Sequence, residues 1–167
     1  PSLSDSFTGP KSHKSYQQCL LNRKYLMDNL SSYEFVVLSG HWSSVFTQGY
    51  QHEVIELIRY AKSIGVKVYI MASPTQYDVN VYNRFMRSQW HGSKFNIEKY
   101  STHADAAAKK MHSIFTNLDI KGVVTFIPRN EIFDTSDTYT IDGIKVPYSL
   151  DGGHISREGA LKAADQF

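Results

Sequence analysis

Near the end of the chain, Asp151-Gly152-Gly153-His154-Ile155-Ser156 places an acid, an imidazole and a hydroxyl on one Gly-rich bend. A neutral imidazole takes a proton from a hydroxyl only if its other nitrogen is held as the N–H donor, and a carboxylate accepting that N–H does the holding. Three positions apart across a turn, Asp151 and His154 can both point toward one rim of a sheet. The two glycines keep the loop clear of side chains that would crowd a substrate. Ser156 is placed to cap the amides of a helix running from Arg157 through Ala164, which would fix His154 at the helix entrance. A pair of this kind needs a third group, a nucleophile. Two other uses are open. Asp and Gly are ordinary turn formers, so the segment could be a bend with His154 merely on the surface. Both residue types also ligate zinc, but a site needs three or four ligands. His13, His41, His52, His91, His103 and His112 show no ligand spacing with the pair.

The elements that must position this loop belong to a chain of 167 residues, enough for one domain with a sizeable core and too short for two ordinary ones. With 41% hydrophobic and 20% charged residues it has the composition of a globular protein; a disordered chain would be poorer in apolar and aromatic residues. The formal charge of +2, with Arg23-Lys24 and Lys109-Lys110 the only adjacent basic pairs, offers a phosphate backbone little to grip, so no nucleic acid is expected as a partner. No run of about 18 apolar residues is present to span a bilayer. A start at Pro1 points to processing or excision, so a signal peptide or anchor could have been removed. Cys19, the single cysteine, cannot form an internal disulfide. It is either a small buried thiol or has a partner outside this sequence. No cofactor is expected.

Residues 1–14 read as irregular. Leu20, Leu21, Tyr25, Leu26 and Leu30 recur at helix-like spacing over residues 16–30. Glu34 to Gly40 is a nearly continuous apolar run, which predicts a central parallel strand covered on both faces. Val54, Leu57, Ile58, Ala61 and Ile64 mark an amphipathic helix closed by Gly65. Val66 to Met71 predicts the next strand, stopped at Ser73-Pro74. A loop and short helix are expected between Tyr77 and Phe95, a helix over 103–118, and a third strand from Gly122 to Ile127. Residues 139–146 alternate around Asp142-Gly143, a hairpin signal. Helix, glycine and strand in this order are the pattern of a parallel α/β domain. In such sheets functional groups gather beyond the carboxyl ends of the strands. Ser39 to Trp42, Ser73 and the Asp151 loop all fall there.

Two blocks carry a family resemblance. Asp151-x-x-His154-Ile155-Ser156-x-x-Gly159-Ala160 resembles the last block of the SGNH/GDSL hydrolase superfamily, D-x-x-H-L-S-x-x-G-A, with Ile155 in place of Leu. Val36-Val37-Leu38-Ser39-Gly40-His41-Trp42 is similar to the strand and Ala-Arg-Trp tripeptide of the branch attached to acyltransferase-3 type membrane proteins. Cys19 and Asn22 also fit that branch. The resemblance implies a three-layer α/β/α, flavodoxin-like fold with a mostly parallel sheet. It implies His154 as general base and Asp151 as its orienting acid. His41 would take the oxyanion-binding position, where the branch commonly has Arg; the alternative is a structural histidine beside Trp42. Trp42, Tyr77, Tyr82 and Trp90 could stack on a sugar, or serve as core or rim packing.

The resemblance also implies an apolar strand running into Gly-Asp-Ser-His, and no such string occurs here. Ser4-Asp5-Ser6-Phe7 is the nearest imitation, making Ser6 the candidate nucleophile within the sequence. Only Pro1-Ser2-Leu3 precedes it, too short for a central strand, and Thr8-Gly9-Pro10-Lys11 cannot start a steady helix. The better account puts the first strand, the serine and the helix behind it upstream, with a cysteine able to pair with Cys19. The chain would then be one domain over 1–167, incomplete at its N-terminus and completed by an upstream peptide. The implied function is O-acetyl transfer to a bacterial cell-surface carbohydrate, in a periplasmic or extracytoplasmic domain joined to a membrane acyltransferase domain of an inner-membrane protein. A carbohydrate O-acetyl esterase and a noncatalytic SGNH-like carbohydrate-binding domain are the alternatives.

Overall fold

A computed structural model describes residues 11–14, 16–100, 103–133 and 138–165. Helix α1 (Tyr16–Asn29) and a short 3-10 turn lead into strand β1 (Phe35–Leu38), the short helix α2 (Trp42–Thr47) and helix α3 (Gln51–Ser63). Strand β2 (Lys67–Met71), α4 (Val81–Trp90), α5 (His103–Ile120), β3 (Thr125–Ile127) and α6 (Arg129–Ile132) follow. A hairpin of β4 (Thr138–Ile141) and β5 (Ile144–Pro147) precedes the last helix, α7 (Arg157–Ala164).

The three main strands pair in parallel in the order β1-β2-β3, with Val37 opposite Tyr69 and Tyr69 opposite Thr125. Parallel neighbours need crossovers, and α3 and α5 lie in the two connections. Their apolar faces build the core: Val54, Leu57 and Ile58 from α3, Met111 and Phe115 from α5, against Val68, Ile70 and Phe126 of the sheet. Each fully buried Ile or Phe contributes about 1.5–3 kcal/mol relative to exposure. The helices and strands foreseen from spacing are present within a few residues of their expected ends. The hairpin turn has Asp142 and Gly143 both at positive φ, 50° and 80°, the conformation a two-residue hairpin loop demands.

One expectation is corrected. Strand β1 is not covered on both faces. It sits at the edge of the three-stranded sheet among the described residues, with Phe35 54% and Val37 49% exposed. Beside it runs a cavity of about 340 Å³ lined by Leu26, Leu30, Val36, Leu38, Ile58 and other apolar groups. Of the two readings left open for Cys19, the buried thiol does not hold: it is exposed on α1, which turns Leu21 and Tyr25 to the surface as well.

Candidate active site

The Asp151 loop is shaped by glycine chemistry and by hydrogen bonds to the 77–82 segment. Gly152 has φ +101°, and a Cβ there would lie 2.6 Å from the Tyr77 carbonyl oxygen and closer still to that of Val79. Only glycine meets both conditions without displacing backbone. The close approach lets the Tyr77 N–H donate to the Gly152 carbonyl at 2.7 Å, and the Tyr82 N–H to that of Leu150 at 3.0 Å. On the far side, Ser156 caps α7, its Oγ accepting the Gly159 N–H at 3.0 Å. Gly159 in turn lets α7 pack against the Tyr148 backbone.

Within this frame the imidazole Nδ1 of His154 lies 2.7 Å from Oδ2 of Asp151. The other carboxylate oxygen, Oδ1, accepts the backbone N–H groups of Gly153 (2.9 Å) and His154 (2.8 Å). Partial burial works to raise the Asp151 pKa, but the two backbone donors and the His154 ring outweigh it and hold the carboxyl well below the usual carboxylate range. Asp151 is therefore an anion at neutral pH. With Nδ1 engaged as donor to it, Nε2 of His154 is left as an acceptor. The His154 side chain is 83% exposed.

The pair stands at the rim of a cavity of about 610 Å³. Its walls come from the ends of β1 (Ser39, Gly40, His41) and β2 (Met71 to Pro74, Gln76), from Ile132 and Phe133, and from Gly153 to Ile155 with the alanines of α7. This is the carboxyl-end rim at which a parallel α/β sheet collects ligands. The His41 ring faces His154 across it, centroids 6.2 Å apart, and a methyl at Gly153 would sit 3.3 Å from His41 Nε2. Partial burial and the neighbouring His154 lower the His41 pKa below the usual imidazole value, which favours the neutral ring.

Of the two readings open for Trp42, sugar stacking or packing, its surroundings support packing. It is 4% exposed, donates its indole N–H to the Met71 carbonyl at 2.8 Å and stacks edge-on against Phe115. Trp42 is a core residue that ties the turn after β1 to the end of β2; it is not positioned to stack on a sugar. Tyr77 is buried, while Tyr82 and Trp90 are exposed on α4 and line no part of this cavity. Ser6 lies outside the described residues. Among the described residues no three His, Cys, Asp or Glu side chains converge as a metal site.

A network that sequence spacing did not flag holds the cavity wall after β2. Arg129 donates from Nε to the Ser73 carbonyl, from Nη1 to Thr75 Oγ1 and from Nη2 to Asp105 Oδ1, each at 2.9 Å. Asp105 is almost fully buried and is paired on its other oxygen by Lys109 at 2.9 Å. The one available hint was an acid set among alanines in Ala104-Asp105-Ala106-Ala107-Ala108, on a helix where Ala107 and Ala108 are buried.

Beside this network the Ser73 N–H donates to His112 Nε2 at 3.3 Å. Burial, reinforced by the charge of Arg129, pushes the His112 pKa down to about 4. A histidine in the unfolded chain titrates near 6.5, so the folded ring prefers to stay neutral. The corresponding stability is fully present above about pH 6.5 and is lost as pH falls through about 4, in total about 3 kcal/mol. Urea denaturation across this range is expected to show that loss in the native sequence and a flatter profile in His112→Gln, which keeps an acceptor for the Ser73 N–H. An unchanged slope in the variant would assign the acid sensitivity elsewhere.

The family model for the SGNH domain (fused to AT3 domains) matches residues 3–167. No curated protein and no solved structure matches significantly. Among the described residues no helix is long and apolar enough to cross a membrane. The family is known by its fusion to acyltransferase domains, and the parallel sheet with its flanking helices accords with a three-layer α/β/α architecture. The match spans both blocks that carry the candidate pair and the turn after β1, and on that extent the chain belongs to the family of SGNH domains fused to AT3 domains.

Proposed function

We propose that this chain carries the base and orienting acid of a serine-dependent O-acetyltransferase acting on a bacterial cell-surface carbohydrate at the periplasmic side of the inner membrane. The observation that carries the proposal is the 2.7 Å bond from His154 to Asp151 at the rim of the cavity. A serine hydroxyl attacks the acetyl carbonyl while Nε2 of His154 takes its proton, and the proton passes to the departing oxygen as the acyl-enzyme forms. A sugar hydroxyl then attacks the acyl-enzyme, its proton going to His154 and on to the released serine. His41 stands on the opposite side of the ring as a neutral group able to face the carbonyl oxygen.

The serine is proposed to enter on an upstream strand. Support comes from β1, whose apolar outer edge is unpaired among the described residues and whose groove shares Ser39 with the catalytic cavity. A strand paired in parallel there would deliver its carboxyl end beside His154. Because the His154 ring is open to solvent, ester hydrolysis is the favoured side reaction whenever no sugar acceptor is bound.

The test compares acetyl transfer from a chromogenic acetyl ester to oligosaccharide, and acetate release, in three preparations. These are this chain alone, this chain joined to its natural preceding segment, and the joined form with His154→Ala. Activity is expected only in the joined native form. Activity in this chain alone that Ser6→Ala abolishes would move the nucleophile to Ser6. Sugar binding without turnover in every preparation would establish a noncatalytic carbohydrate-binding domain, and turnover that survives His154→Ala would sink the mechanism.

A further inference from the structure

His41 is the point at which the sequence departs from the Arg of the resembling branch, and its surroundings explain what the departure does. Its Nδ1 lies 3.0 Å from Ser43 Oγ and 2.7 Å from Ser44 Oγ, both on the first turn of α2. The backbone of His41 is fixed by the same turn, because its carbonyl accepts the N–H groups of Ser44 and Val45. Two hydroxyls therefore converge on one ring nitrogen whose position is already set.

The direction of those hydrogen bonds follows from burial. Ser43 is 4% exposed, and His41 Nδ1 is the one partner found for its Oγ among the described residues. If Nδ1 carried the proton and donated it to Oγ, the Ser43 hydroxyl hydrogen would be left in a buried place without an acceptor, at a cost of about 1–3 kcal/mol. With Nδ1 bare, the Ser43 hydroxyl donates to it and that penalty disappears, while the less buried Ser44 can share the same lone pair or turn its hydroxyl hydrogen to water. The ring proton then sits on Nε2. Nε2 is the nitrogen turned toward Gly153 and the His154 side of the cavity.

We propose that Ser43 and Ser44 are positioning residues that lock His41 in the Nε2–H tautomer, so that it presents a fixed hydrogen-bond donor to the acyl oxygen on which negative charge develops. The proposal rests on the acyl-transfer mechanism for its purpose but not for its central claim, since the tautomer exists with or without turnover. The neutral state of His41 agrees with it, because a protonated ring would place a cation beside His154 and oppose proton uptake there. The Arg of the branch and the His of this chain would thus reach one end, a donor at the same place, by different means. Arg brings its donors in every protonation state, whereas His needs two serines to aim one.

The experiment is long-range nitrogen–proton correlation NMR of the histidine rings in this chain, labelled with nitrogen-15 histidine, at neutral pH. In the native sequence His41 is expected to show Nδ1 as a bare, pyridine-type nitrogen and Nε2 as an N–H. In Ser43→Ala/Ser44→Ala its two nitrogens should shift toward a tautomeric average while the His154 signals stay in place, and Ser44→Thr should keep the native pattern. The same double variant in the joined, active form should lower kcat by up to about 10-fold with little change in KM, short of the roughly 10²–10³-fold of a lost oxyanion donor. An Nδ1–H signal for native His41, or no shift in the double variant, overturns the lock even if acyl transfer is real. A locked tautomer with no turnover in any form overturns the acyl-transfer mechanism and leaves the lock standing.

Discussion

Replacing His154 with Ala is expected to lower acetyl transfer by about 10²–10⁴-fold, the range for a lost general base. Asp151→Asn should be almost as damaging, by up to about 10⁴-fold, although it removes no atom from the loop. The reason is specific to this geometry. Oδ1 accepts two backbone N–H bonds, from Gly153 and His154, at 2.9 and 2.8 Å. An asparagine must keep its carbonyl oxygen there, which turns its NH₂ toward Nδ1 of His154. That amide donates to Nδ1 and selects the tautomer protonated on Nε2, so the nitrogen meant to take the serine proton no longer has a lone pair. Asp151→Ala, by contrast, loses the loop bonds as well and cannot separate orientation from folding. Rates in the joined form, together with the ring tautomer of His154 by NMR, check the claim. Full activity in Asp151→Asn would mean that the acid holds the loop and does not serve the imidazole.

The second large effect concerns stability. Arg129→Met is expected to destabilise the domain by about 3–5 kcal/mol, the cost of breaking the more buried of the two ion pairs of a buried acid. The guanidinium satisfies the Ser73 carbonyl, Thr75 and Asp105 at once, so its loss leaves the buried Asp105 with Lys109 as its remaining cation and frees the wall of the cavity after β2. For a domain of this size the melting temperature should fall by roughly 10 °C. Removing the acid as well, in Arg129→Met/Asp105→Leu, should recover part of the loss, because an apolar pair replaces a buried charge left with one of its two cations. Denaturant melts of the two single variants and the double give the coupling directly. Additive losses would show that Arg129 acts through the Ser73 to Thr75 segment alone and that Asp105 is compensated by Lys109.

Much of this fold was legible because its signals are local. The 3.6-residue spacing of Val54, Leu57, Ile58 and Ala61 specifies α3, and Asp142-Gly143 specifies its hairpin because few other pairs accept two positive φ angles. Asp151 and His154 were legible for the same reason: one short turn brings them together. Where contact depends on distant segments, sequence spacing was silent. An apolar run such as Phe35 to Leu38 reads alike at the centre of a sheet and at its edge, and only the pairing reveals that Phe35 and Val37 face outward. The short helix α2 is too brief to show a period, so the approach of Ser43 and Ser44 to His41 left no trace in the pattern. Arg129, Asp105 and His112 meet from two elements and carry no common spacing.

The edge of β1, unpaired among the described residues, also sets a kinetic problem for the polypeptide. An unpaired apolar strand templates whichever extended segment reaches it first, including the same edge of another copy. A strand tethered in the same polypeptide competes at an effective concentration in the millimolar range for a short flexible link, whereas a second copy competes only at its concentration in the compartment. Closure of the sheet by a tethered strand therefore wins by mass action and needs no superior contacts. Separated from such a strand, the edge has nothing faster than its own kind to meet, and association of the isolated chain becomes a matter of concentration and time.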